Sequence, residues 1–256
     1  MSELKIDLTE SFPRLAHAPI VEAVIEVRAR AEAPWEEAVI LERLKSRLPD
    51  YPASQSQQSL QFEFKVEPGK TPEQAIHDLG WKGLRFESAD KLHVAQFNRE
   101  LFSFSRLRPY DSWNQFSTEA LRLWQIHSEL AQPIEVQRLG VRFINRTAVP
   151  SEGRLENYMQ VPPQTPRNLE LPFANFLHHD TLLVPGHPYA INVIQTVQSP
   201  HGPGTEAAAL ILDIDVYTIQ PFELRDNVFP TRLAEMRWLK NKVFFGSITP
   251  QALKNF

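Results

Sequence analysis

Alternation of apolar and charged residues constrains this fold more than any other feature, and it is clearest in QRLGVRFINR, residues 137–146. Successive side chains of a β-strand point to opposite faces, so residues two apart share a face. The arginines of this stretch therefore share one face: Arg138, Arg142 and Arg146. The apolar residues between them share the other: Leu139, Val141 and Phe143. The pattern predicts a strand with one buried face and one face in water.

The same alternation predicts strands along the rest of the chain. They cover residues 19–29, 59–67, 83–88, 91–98, 101–108, 134–149, 176–184, 189–198 and 208–219. Helical spacing of apolar residues predicts helices at 34–48, 112–130, 151–161 and 230–245, and a short one from Thr249 with Pro250 at its first position. Ser112 and Ser151 are residue types that cap helices. The apolar stripe of the 230–245 helix is Leu233, Met236, Leu239 and Val243.

The order of these elements predicts an α+β fold built from two pseudo-repeated halves. Residues 1–132 read β-α-β-β-β-β-α, and residues 133–256 read β-α-β-β-β-α. Joining the two sheets edge to edge would remove two exposed edges. We therefore expect one continuous globular unit with a curved antiparallel sheet packed by long helices, an arrangement of the TBP-like or helix-grip-like kind.

Composition excludes several classes of function. The 256 residues include no cysteine, which excludes disulfides, zinc–thiolate sites and cysteine nucleophiles. The net charge is −4, so a nucleic-acid site would need a local basic patch. The first residues lack an apolar signal region and no apolar stretch is long enough to span a bilayer, so we expect a cytoplasmic protein with no membrane contact.

Three short motifs carry a family resemblance: API-x-EA at residues 18–23, R-x-GVR-x-IN at 138–145, and the late helix leading into FFGSIT at 244–249. In their order and spacing the chain resembles a sporadically distributed family of bacterial and archaeal proteins of about this length. The resemblance covers nearly the whole chain. It implies no catalytic residues. It implies an accessory role in a mobile or defence locus, such as the small accessory protein of a type III-E CRISPR locus.

Two sets of charged residues are the candidate binding residues. The arginine row of Arg138, Arg142 and Arg146 is suited to phosphate or to a carboxylate-rich peptide, and Arg106 and Arg108 would extend it. Asp213 and Asp215 share a face of the strand at 208–219, where two carboxylates could hold Mg²⁺ or act as an acid/base pair. The alternative is that the aspartates pair with the arginines across neighbouring strands.

Histidines offer a weaker case for chemistry. In HHD, residues 178–180, only His178 and Asp180 share a strand face, and a metal needs at least one further ligand. We interpret them as polar residues at the start of a strand. His127 lies beside Trp124 on a helix stripe and is interpreted as a packed histidine.

The leading hypothesis from the sequence is a non-enzymatic adaptor or accessory factor that binds another protein, encoded nearby, without a cofactor. It is motivated by the patterned sheet and by the lack of a recognisable catalytic motif. One alternative is a nucleic-acid or nucleotide binder that uses the arginine face. The other is a metal-dependent enzyme that uses Asp213 and Asp215.

Overall fold

A computed structural model describes residues 3–65, 73–150, 153–166, 168, 175–198, 208–225 and 227–256. The described residues form a nine-stranded antiparallel sheet and four α-helices, an α+β fold. The strands are β1 (Ile20–Ala31), β2 (Ala53–Lys65), β3 (Glu73–Glu87), β4 (His93–Asn98), β5 (Leu101–Leu107), β6 (Pro133–Val149), β7 (Leu177–Leu183), β8 (Tyr189–Gln198) and β9 (Ala208–Thr218). The helices are α1 (Glu37–Arg47), α2 (Trp113–Ala131), α3 (Val228–Ser247) and α4 (Pro250–Leu253).

The sheet has the strand order β2-β3-β4-β5-β1-β6-β9-β8-β7. Strands β1 and β6 pair near its middle, and β2 and β7 form its two edges. Strands β2 and β3 pair from Ala53–Glu87 to Lys65–Glu73, whereas β4 reaches only the end of β3 from Gly83 onward. The far part of the β2–β3 hairpin is therefore a two-stranded extension of the sheet, and β3 is much longer than the strand predicted at 83–88.

One face of the sheet is covered by the long helices. Phenylalanines of β5 stack against α2, with ring centroids 5.5 Å apart for Phe104–Phe116 and 5.8 Å for Phe102–Trp124. Helix α3 joins the same core through Phe229, whose ring stacks on Trp124 at 5.4 Å. We call the opposite side, which the helices do not cover, the open face. Among the described residues, no helix is both long enough and apolar enough to cross a membrane.

Two predicted helix starts are confirmed. Ser112 precedes α2, and its side chain accepts a hydrogen bond from the Gln115 backbone N–H at 3.3 Å. Thr249 caps α4 by accepting from the Ala252 N–H at 3.1 Å, with Pro250 at the first helical position. Both caps satisfy backbone donors that the helix itself leaves unpaired.

The helix predicted at 151–161 is wrong, because the described residues of that segment, 153–161, hold only a 3₁₀ turn at Leu155–Asn157. Pro150 and Pro162 bound the segment and Gly153 lies inside it, so too few residues remain to nucleate a helix. The segment instead contacts the end of α3, where the Gln160 N–H donates to the Ser247 carbonyl at 2.9 Å. The proposed cap, Ser151, lies outside the described residues.

His127 on α2 is a core residue with 1% of its surface exposed. Its Nε2–H donates to the Asn98 backbone carbonyl at 2.8 Å, and its Nδ1 meets no hydrogen-bond partner within the described part of the chain. The ring packs among Trp35, Trp124 and Phe102. Burial lowers the pKa of His127 to about 4, because the charged ring would lose its hydration, while the bond to Asn98 opposes that shift.

This depressed pKa predicts loss of stability in acid. Between about pH 6.5 and about pH 4 the unfolded chain binds a proton on His127 that the folded chain does not, so the free energy of unfolding falls as pH falls. The loss amounts to about 3 kcal/mol over the whole window. Urea unfolding at about pH 7 and about pH 5 should therefore show a smaller pH dependence in His127→Phe than in the wild type. The control is the same substitution at the exposed residue His179, which should keep the pH dependence of the wild type. An unchanged pH dependence in His127→Phe would contradict this account.

Candidate functional site

Strand β6 separates its two sets of side chains as predicted. Leu139, Val141 and Phe143 are buried under the helices, with at most 1% of each exposed. The arginines lie on the open face, where Arg142 and Arg146 are exposed and Arg138 is half-buried. The strand passes through the middle of the sheet, so its open-face residues meet side chains of β1 on one side and β9 on the other.

Arg138 forms the most connected contact on the open face. Its Nη1 lies 3.0 Å from Glu26 Oε1 on β1, and its Nη2 lies 2.7 Å from Asp215 Oδ2 on β9. The guanidinium carbon also lies 4.8 Å from the ring centroid of Tyr217. Both carboxylates are therefore bound by one cation that links three neighbouring strands.

Gly140 makes this contact sterically feasible. It pairs with Glu26 on β1 and with Tyr217 on β9, so it occupies the position between two residues that contact the guanidinium. A Cβ atom at Gly140 would lie 2.6 Å from Arg138 Nη1 and 3.2 Å from its Cζ. The side chain of Arg138 thus folds over the bare backbone of Gly140, and the glycine that interrupts the charged alternation was a sequence signal for this arrangement.

Arg142 binds the second aspartate. Its Nε donates to Asp213 Oδ1 at 2.8 Å, and its Nη2 donates to the other carboxylate oxygen. The hydrogen bonds that Arg142 donates to Asp213 raise the pKa of Arg142. Burial raises the pKa of Asp215, although the charges of Arg138 and Arg142 oppose that rise. The predicted alternative, pairing of the aspartates with the arginine strand, is therefore confirmed for both aspartates.

The remaining arginines do not form a continuous patch. Arg146 is exposed, and no carboxylate of the described residues pairs with it. Arg106 lies on the helix-covered face, is 6% exposed and donates to Asp111 at 2.5 Å. The idea that Arg106 extends the row is wrong, because it shares the strand face of Phe102 and Phe104, which the alternation already showed. Arg108 follows the end of β5 and is exposed.

Charges on the open face of the central strands balance. Arginines and carboxylates occur in equal number on β1, β6 and β9: Arg28, Arg30, Arg138, Arg142 and Arg146 against Glu22, Glu26, Glu135, Asp213 and Asp215. Phosphate binding by counterion release needs uncompensated cations. The geometry of this face therefore favours an internal ion-pair network over a phosphate-binding surface.

The histidines of the HHD motif lie on β7. His178 and Asp180 share one side of that strand and His179 lies on the other, and all three are exposed. In the described part of the chain, no three histidines, aspartates or glutamates come close enough to hold a metal ion. The motif therefore contributes exposed polar side chains to an edge of the sheet.

Comparison with known proteins provides no assignment: no family model matches the chain, and a search of curated proteins found no match. What the protein does must be inferred from its own contacts, charges and exposed surfaces. Two properties stand out for that purpose, the ion-paired open face and the exposed edge at β7.

The ion pairs predict unequal effects of arginine removal. Arg138→Met and Arg142→Met each leave a partly or largely buried carboxylate without its partner, which should lower the free energy of unfolding by about 1–3 kcal/mol. Arg146→Met removes the same charge from the same strand face but breaks no ion pair with a described residue, so it should change stability by less than about 0.5 kcal/mol. Urea denaturation followed by tryptophan fluorescence measures all three. Equal effects of the three substitutions would contradict the pairing.

Proposed function

We propose that this protein is a non-enzymatic adaptor that binds an extended segment of another protein along strand β7. The observation that carries the proposal is the exposure of this edge strand, in which all seven residues are exposed. Leu177 and Leu183 are 72% and 70% exposed, and Leu182 is 47% exposed. Exposed leucines on an edge strand provide both backbone hydrogen-bonding groups and apolar contacts for an added strand.

Strand β7 has few of the features that usually protect an edge. Its sequence, LHHDTLL, contains no proline, no lysine and a single carboxylate, Asp180, and its register with β8 runs without a bulge from Leu177–Thr196 to Leu183–Ala190. The other edge strand, β2, begins with the polar stretch ASQSQQS at residues 53–59. Proteins commonly protect edges with charges, prolines or bulges, so an unbulged edge at β7 with three exposed leucines supports a binding role.

A protein partner is favoured over nucleic acid by the charges. The arginine face is neutralised by its own carboxylates, and β7 itself carries no arginine or lysine. The metal-dependent alternative loses its ligands in the same way, because Asp213 and Asp215 each bind a guanidinium group. These contacts support the non-enzymatic adaptor.

We also propose that the sheet is a pseudo-repeat of the TBP-like or helix-grip-like kind. The first half contributes the order β2-β3-β4-β5-β1 and the second contributes β6-β9-β8-β7. In each half the first strand lies at the middle and the last strand lies beside it. This order supports two related halves, residues 1–132 and 133–256, that meet in an antiparallel β1–β6 pair.

The biological setting we propose is a prokaryotic antiviral defence locus, with the protein in the cytoplasm and its partner encoded by a neighbouring gene. The resemblance to the sporadically distributed family supports this setting. An adaptor that extends its sheet with a segment of its partner needs no cofactor and no catalytic group, which agrees with the contacts described for the aspartates.

The edge-strand proposal predicts which substitutions weaken binding of the partner. Co-purification with the products of neighbouring genes identifies the partner, and calorimetry then measures its affinity. Leu177→Lys combined with Leu183→Lys places two charges at the edge and should weaken binding by about tenfold or more. Leu79→Lys changes a leucine that is 60% exposed on β3 and serves as the matched control.

Light scattering separates a partner from a second copy of the chain. We expect the purified protein to be a monomer whose edge remains available. A dimer that dissociates in the Leu177→Lys, Leu183→Lys variant would show that a second copy occupies the edge instead. Unaltered partner binding by that variant would contradict the proposal.

A further inference from the structure

A cleft of about 1290 Å³ lies on the helical side of the molecule, away from both the open face and β7. Its walls come from the N-terminal segment between residues 8 and 20, from the loop at 109–112 with the start of α2, and from α3. Asn145 of β6 also lines it. Small-molecule sites have volumes of roughly 300–1,000 Å³. The cleft is larger than that, so it has room for an organic ligand.

Specific contacts hold the N-terminal wall in place. Glu10 accepts from Trp238 Nε1 at 2.8 Å and from Lys242 Nζ at 3.0 Å, both on α3. Phe12 stacks on Phe245 with ring centroids 5.6 Å apart. The segment is therefore fixed along α3 by ionic, polar and aromatic contacts, and the cleft beside it is part of the folded structure.

Uncompensated positive charge distinguishes this cleft from the open face. Three cationic side chains line it: Arg14, Arg237 and Lys240. Of the carboxylates that line it, Glu10 is bound to Lys242 and Asp111 to Arg106. Within the described residues, none of the three lining cations forms an ion pair. The cleft thus presents three cations whose nearby carboxylates are already engaged elsewhere.

Lys240 is the least exposed of these cations, since it is half-buried whereas Arg14 and Arg237 are exposed. Its Nζ lies 4.1 Å from the ring centroid of Phe143, a core residue of β6, and it donates no hydrogen bond and forms no ion pair within the described part of the protein. Burial lowers the pKa of Lys240 to about 7, and the charge of Arg237 lowers it further. An amine in this environment gains most from an anion, because a bound anion offsets both the lost hydration and the repulsion by Arg237.

Aromatic side chains form the wall beside the cations. Trp113 lies 5.7 Å from the guanidinium carbon of Arg237, and Tyr110 packs edge-on against Phe143. Trp238 lines the cleft on the α3 side. Indole and phenol rings give a flat apolar surface on which a planar ring of a ligand can stack.

We propose that the cleft binds a nucleoside monophosphate, with its phosphate held by Lys240, Arg237 and Arg14 and its base against the aromatic wall. A phosphate carries enough negative charge to balance neighbouring cations such as Lys240 and Arg237, and it offers several acceptor oxygens. The base accounts for the remaining volume and for the aromatic side chains, neither of which inorganic phosphate would use. This site is independent of the protein-binding edge at β7.

Calorimetry with AMP, GMP, CMP and UMP, each tested separately, examines the proposal directly. At least one nucleotide should bind the wild type, and Lys240→Met, which keeps the apolar stem, should weaken it by about tenfold or more. Lys45→Met removes the same charge from an exposed site on α1 and should bind like the wild type. Absence of binding by all four nucleotides at about 1 mM, or equal affinity in Lys240→Met, would overturn the site.

Two further ligands separate the phosphate from the base. Inorganic phosphate and the matching nucleoside should each bind at least about tenfold more weakly than the nucleotide. Phosphate that binds as tightly as the nucleotide would overturn the base-binding part, and a nucleoside that binds as tightly would overturn the role of the cations. Quenching of tryptophan fluorescence provides a second readout, since Trp113 and Trp238 line the cleft.

Proton uptake tests the part played by Lys240 itself. The charged and titratable groups that line the cleft around its amine are Arg14, Glu10, Tyr110, Asp111 and Arg237. A bound anion favours the charged amine, so binding at about pH 7.5 should take up more protons in the wild type than in Lys240→Met. Calorimetry in buffers of different ionisation enthalpy measures that difference, and equal uptake by the two proteins would overturn the assignment.

Discussion

The contact of Arg138 with Glu26 and Asp215 determines what the open face of the sheet can do. It joins β6 to β1 on one side and to β9 on the other, so one guanidinium group connects the strands on both sides of the molecular centre. Gly140 leaves the space in which that side chain lies. Because arginine binds carboxylates with fixed geometry, the contact also favours one register among the three strands.

The ion pairs leave little free charge in the middle of the sheet, and this directs attention to two other surfaces. The edge strand β7 exposes leucines and backbone groups, whereas the cleft on the helical side has cations that form no ion pair with any described residue. The chemistry of these surfaces differs, since one suits an extended peptide and the other a small anion. If both proposed sites function, one molecule binds a protein partner and a small ligand at separate places.

Much of the sheet could be predicted from the sequence because alternation depends only on local geometry. The strand β6, its two faces and the capping of α2 by Ser112 all follow from residues close together in the chain. The same alternation places Arg106 on the strand face of Phe102 and Phe104, so an extended basic patch was already inconsistent with the sequence.

Other parts of the structure could not be predicted from local pattern. The helix expected at 151–161 does not form, because flanking prolines and an internal glycine outweigh the apolar spacing of the segment. The cleft was not predictable, since its lining residues Arg14, Tyr110 and Lys240 are far apart in the sequence and are brought to one cleft only by tertiary packing.

The most direct test of the central claim is a double-mutant cycle between Arg138 and Asp215. The wild type, Arg138→Met, Asp215→Asn and the double variant are compared by their free energies of unfolding in urea. The contact predicts a coupling energy of about 1–2 kcal/mol, so that the double variant loses less stability than the sum of the single variants. A coupling energy near zero would mean that Arg138 does not bind Asp215 in solution and would contradict the ion-pair network on the open face.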